Sequence, residues 1–160
     1  MIQATTSTNL TVYLQTEDNR INTSVTSLKI RFLVKFTNDM DKSKLYVYGQ
    51  DQSIYDRYTK MTFYNEANNN VYTGRLELLP AGYWKYEVYE VSWLGDVTLE
   101  EETAPVTETQ VIEPASPDVG VVQGLVTKGK MYVAEKDGTQ EVQYTQHPEP
   151  SGTNYIYYGQ

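Results

Sequence analysis

The sequence predicts an all-β fold built as an antiparallel sandwich, and three observations carry that prediction. From Leu28 to Phe36 apolar and polar residues alternate, with Leu28, Ile30, Phe32, Val34 and Phe36 on one face and Lys29, Arg31 and Lys35 on the other. A period of two held over nine residues is the mark of a half-buried strand. Turn-forming clusters then recur between apolar runs: Asn38-Asp39-Met40-Asp41, Gly49-Gln50-Asp51 and Asn68-Asn69-Asn70. The aromatic residues are the third observation, since 15 Tyr stand against 3 Phe and 2 Trp. Tyrosine suits sheet faces and interfaces, being apolar along its ring and polar at its tip.

Taken in order, Leu10, Val12 and Leu14 alternate with Thr11, Tyr13 and Gln15 as a first strand, and Leu28 to Phe36 is the clearest. Leu45 to Tyr48, Tyr58 to Tyr64, Val71 to Leu78 and Tyr83 to Trp93 follow. The run Leu76-Glu77-Leu78-Leu79-Pro80-Ala81-Gly82-Tyr83-Trp84-Lys85-Tyr86-Glu87-Val88-Tyr89 resembles the E–F corner of immunoglobulin-like and fibronectin-type sandwiches. That resemblance implies an Ig-like head, with the hydroxyl of Tyr83 or Tyr86 bonded to corner backbone. The chain has no cysteine, so the disulfide of antibody domains is missing.

Charge divides the 160 residues further. Residues 1–93 hold ten basic and ten acidic side chains, whereas residues 94–118 hold seven acids (Asp96, Glu100, Glu101, Glu102, Glu108, Glu113, Asp118) and no base. Most of the net charge of −8 therefore sits in one stretch. With Pro105, Pro114 and Pro117 it reads as an extended connector, because like charges repel and proline lacks a donor. The expected organisation is a sandwich over 1–97, an acidic connector over 98–118 and a β-rich arm over 119–160. Within the arm, Val119 to Val126, Lys130 to Glu135 and Glu141 to Thr145 read as strands, with Lys136-Asp137-Gly138-Thr139 as a turn. An aromatic strand, Thr153 to Gln160, ends it. Forty-two residues without metal or disulfide are few for an independent core. The arm is thus expected to complete a partner's sheet through Val121, Val122, Leu125, Tyr132, Tyr144, Tyr155, Ile156, Tyr157 and Tyr158. Packing back on its own sandwich is the alternative.

The chemistry expected of an enzyme is missing from the sequence. His147, the one histidine, lies between Gln146 and Pro148 in a turn-rich stretch, and no serine has a nucleophile-elbow context that would use it as base. Without cysteine there is no thiolate nucleophile, and one imidazole makes no zinc site. Asn38-Asp39-Met40-Asp41 lacks a full calcium-loop pattern, and Glu100-Glu101-Glu102 reads as a solvated charge run. Asn9-Leu10-Thr11 and Asn22-Thr23-Ser24 match the N-glycosylation triplet, but the N-terminus carries no secretory signal. Gly120, Gly124 and Gly129 do not have phosphate-loop spacing. No cofactor is expected, no nucleic-acid partner in the absence of a lysine and arginine cluster, and no membrane, since no apolar run is long enough to span one. The absence of cysteine fits a protein made in a reducing cytoplasm.

The C-terminal segments Asp118 to Val126, Gly129 to Val133, Glu141 to Tyr144 and Thr153 to Gln160 resemble the tail of small virion proteins of tailed phages that infect Bacteroidetes-type bacteria, crAss-like phages among them. The resemblance implies a capsid auxiliary (decoration) or head-fibre-associated protein. It would be made in the bacterial host cytoplasm and held at the capsid surface by the major capsid protein or another virion protein, with a homo-oligomer possible. A second expectation is a carbohydrate-binding or host-surface adhesion module, in which Tyr46 and Tyr48, sharing a face, stack on sugars with Tyr55, Tyr58 and Tyr64 nearby.

Overall fold

A computed structural model describes residues 1–137. Among the described residues nine strands form: β1 (Ile2–Thr5), β2 (Leu10–Leu14), β3 (Ile30–Asn38), β4 (Lys44–Tyr48), β5 (Gln50–Ile54), β6 (Thr59–Asn65), β7 (Arg75–Leu76), β8 (Gly82–Ser92) and β9 (Val121–Ala134). They make two packed sheets, ordered β1-β9-β8-β3-β4 and β2-β6-β5, with β7 pairing β6. The first sheet is antiparallel apart from β1, which runs parallel to β9 with Ile2 opposite Met131. In immunoglobulin letters this is G-F-C-C′ facing B-E-D, so the fold is an all-β, Ig-like sandwich.

The alternation in β3 decides the layering. Ile30, Phe32, Val34 and Phe36 turn inward and join Val12, Met61, Phe63, Trp84, Val88 and Met131 in the main core. Phe36 meets Phe63 edge-on across the two sheets, with centroids 5.6 Å apart. The chain crosses from the first sheet to the second at Gly49, where a Cβ would stand 2.6 Å from the Met61 sulfur. At the E–F corner, Trp84 takes the part expected of Tyr83 or Tyr86: its indole N–H donates to the Pro80 carbonyl at 3.1 Å.

Two elements depart from the sequence reading because their composition hides them. β5, Gln-Asp-Gln-Ser-Ile, is a polar edge strand that reads as a turn. Val71 to Leu78 narrows to the two residues of β7, because Asn70 Oδ1 accepts the N–H groups of Tyr72 and Thr73 in a turn.

The larger correction concerns residues 98–134. β9 is not an arm reserved for a partner: it lies between β1 and β8, paired along its length. It is also one strand of 14 residues where two were expected. The expected connector over 98–118 is not extended either: it belongs to a long F–G excursion, residues 94–120, folded over the outer face of the first sheet. They form a third layer, burying Leu33, Tyr48, Val91, Trp93 and Ala104 in a second core. The split at 97 and 118 therefore falls inside a single sandwich. Residues 138–160 lie outside the described part.

Candidate interaction surfaces

The outer face of the first sheet can be read in rows across β4, β3, β8 and β9. Tyr48, Leu33 and Tyr89 form one row, Tyr46, Lys35, Glu87 and Lys128 the next, and Lys44, Thr37, Lys85 and Lys130 the third. Tyr83 and Tyr132 stand at the far end, with centroids 5.1 Å apart. The excursion covers the first row and stops at the second. Its root is fixed where Lys29 Nζ donates to the Gly95 carbonyl at 2.6 Å, and where Gly95 N–H donates to the Pro117 carbonyl at 2.6 Å. Trp93 packs so closely on Gly120 that a Cβ there would lie 2.5 Å from the ring.

A polar clasp holds the excursion's edge. Lys35 Nζ reaches Glu108 at 2.6 Å and Glu87 at 3.0 Å, and the Tyr46 hydroxyl donates to Glu108 at 2.6 Å. Burial raises the Glu108 carboxyl, but the hydrogen bonds from Lys35 and Tyr46 outweigh it and bring the pKa down from 4.5 to about 2. The bond to Glu108 pushes Lys35 up. Burial, followed by the same carboxylate, takes Tyr46 to about 12. Tyr48 is fully buried, its hydroxyl donating to the Pro105 carbonyl at 2.5 Å. Tyr46 and Tyr48 do share a face as expected, but that face lies under the excursion, so they cannot serve as a sugar platform.

The candidate contact residues in β9 fall in different places. Val121 is exposed and Val122 half-buried, and both line a small groove against residues 108–112 of the excursion. Leu125, paired with Tyr89, is partly exposed, and the Tyr132 ring meets Tyr83 at a 56° tilt. Tyr144, Tyr155, Ile156, Tyr157 and Tyr158 lie outside the described residues.

Sequence reasoning missed Tyr13 as the third member of an exposed cluster with Tyr55 and Tyr58. These three are 61%, 48% and 39% exposed. Tyr58 sits 4.8 Å from Tyr55 and 5.6 Å from Tyr13 between ring centroids. Register brings them together, because β2 pairs β6 with Tyr13 opposite Lys60, and the β5–β6 turn closes through Tyr55 N–H to the Tyr58 carbonyl at 2.9 Å. The signal lay in the alternation of β2, which puts Tyr13 on the face away from Val12. The pairing of β2 with β6 could not be read from it.

Buried polar groups serve the fold. Glu90 is fully buried, and its carboxylate accepts the backbone N–H groups of Ile21 at 2.9 Å and Asn22 at 2.8 Å, pinning the β2–β3 connection. Asn38 Oδ1 accepts the N–H groups of Met40 and Asp41 at 2.7 and 3.3 Å, an ordinary side-chain-capped turn.

No protein-family model matches the chain, and no curated protein matches it. A solved structure similar to it is a candidate glycoside hydrolase from Bacteroides vulgatus ATCC 8482, at 14% identity and a TM-score of 0.38. The match covers 84% of this chain and 16% of that one. A likeness of this size assigns no activity.

Proposed function

We propose that this chain is a virion structural protein of a tailed phage, a capsid auxiliary (decoration) or head-fibre-associated protein that acts by contact and not by catalysis. The observation that carries the reading is the use of the acidic excursion. Its ion pairs, and its packing over Tyr48 of β4, bind the chain to itself as a three-layer module, and each of the two outer faces carries a tyrosine cluster. Tyrosine clusters on a stiff frame supply contact area at low entropic cost. The resemblance of the C-terminal segments to phage virion proteins supports the same role. Because β9 belongs to the sandwich, the anchoring segment of this proposal is residues 138–160, which hold Tyr144, Tyr155, Ile156, Tyr157 and Tyr158.

The test is mass spectrometry of purified virions of the phage encoding the chain, joined to co-sedimentation with capsids lacking it. The full chain is expected to be found in virions and to sediment with capsids. A chain ending at Asp137 is expected to keep its circular dichroism spectrum and lose capsid binding. Absence from virions, or no co-sedimentation of the full chain, rejects the role; undiminished binding by the shortened chain rejects the anchor.

The Tyr13, Tyr55 and Tyr58 cluster favours a second reading, adhesion to a host-surface glycan by stacking of rings on sugar faces. Glycan-array binding that disappears in Tyr58→Ala would support it, and an array silent for the native chain would remove it.

A further inference from the structure

Beyond the clasp, the outer face of the first sheet carries no further layer among the described residues, and it is basic. Thr37, Lys85, Lys128 and Lys130 line a cleft of about 470 Å³ that also takes in Tyr86, Glu87 and Gly129, and Lys44 lies beside Thr37 in register. Lys44, Lys128 and Lys130 make no ion pair among the described residues, while Lys85 is 3.2 Å from Asp39. The other half of this face carries the excursion, with seven acids and no base. Of these only Asp96 and Glu108 are paired among the described residues, and Glu100, Glu101, Glu102, Glu113 and Asp118 are exposed.

We propose that a second copy of this chain docks on this face, its acidic excursion lying over the lysine rows while its own lysines receive the first copy's excursion. A surface basic on one half and acidic on the other is complementary to itself under a twofold rotation. Pairing of that kind closes as a dimer and does not run on into a fibre. Exposed Tyr83 adds aromatic contact area at the edge of the lysine rows. The net charge of −8 opposes the approach at long range. At physiological salt such repulsion is screened within about 8 Å, so the opposed charges at contact decide the outcome. The inference does not depend on the virion role and can fail without it.

The experiment is sedimentation velocity on the full chain, with circular dichroism confirming that each variant is folded. At about 50 mM salt a dimer is expected, weakening at least about tenfold near 1 M. The variants K128E/K130E and E100K/E101K/E102K should each be monomeric at low salt. Mixed together they should form a heterodimer, since each then offers the charge the other has lost. A native chain that stays monomeric, either variant dimerising as the native chain does, or a mixture that yields no heterodimer would overturn the proposal. Poly-L-glutamate captured by a monomeric native chain would also overturn it, assigning the face to a different acidic partner.

Discussion

Replacing Glu108 by glutamine tests whether the excursion is held by charge. The substitution keeps the shape of the side chain and removes the carboxylate that Lys35 and Tyr46 both reach at 2.6 Å. A carboxyl whose pKa falls from 4.5 to about 2 on folding contributes on the order of 3 kcal/mol at neutral pH. Glu108 is 21% exposed, so screening by solvent trims the expected loss to about 2 kcal/mol. For a domain of this size that lowers Tm by roughly 4–8 °C. The sign with pH follows from the direction of the shift. The folded-state pKa is depressed, so the contribution is complete above about 4.5 and is lost as the pH falls toward about 2. Urea unfolding of both proteins, followed by tryptophan fluorescence, should show a gap at pH 7 that shrinks across that window. Equal stability at pH 7, or a gap unchanged near pH 2, would refute the clasp as an electrostatic device.

Other outcomes follow from packing and pairing. Gly120→Ala should cost about 1–3 kcal/mol in chemical denaturation, because its methyl would strike the Trp93 ring at 2.5 Å. Glu90→Ala should cost about 2–3 kcal/mol and speed hydrogen exchange at Ile21 and Asn22, whose amides lose their acceptor. A chain cut after Asp118 should show no cooperative thermal transition, since it lacks β9, whereas one cut after Asp137 should melt cooperatively. A folded 1–118 fragment would mean that β9 is dispensable.

The legible parts of this molecule are those where one side of a strand carries charged side chains and the other apolar ones. β3 shows its alternation because Arg31 and Lys35 sit on the outer face opposite Phe32 and Phe36. β9 shows none so clean. Its outer face meets the excursion at Val122 and is open at Lys128 and Lys130, and two register shifts near Gly124 and Val126 interrupt its period. Pairing was the other obstacle. A stretch of 28 residues separates the end of β8 from the start of β9, and its acids and prolines look like a tether. The few residues that make it a layer, Trp93, Ala104 and Pro105, are scattered and ordinary in composition. The tyrosines suffered in the same way: Tyr46 and Tyr48 share a face as predicted, but what lies on that face is set by the fold. Of the contact residues, Val121 and Leu125 could be recognised as surface-reaching, and Tyr13 could not be joined to Tyr55 and Tyr58 without the β2–β6 register.

Placing β9 between β1 and β8 has a consequence for how the chain is made. Ile2 is matched with Met131, so β1 leaves the ribosome long before the strand that completes its backbone ladder. At about 5–20 residues per second, the intervening synthesis leaves the facing borders of β1 and β8 unsatisfied for several seconds or more. Joining strands so distant in sequence also slows closure. Nascent chains of this protein will present two sticky sheet borders at once, and crowding of polysomes on one message is the condition under which strands of neighbouring nascent chains would exchange.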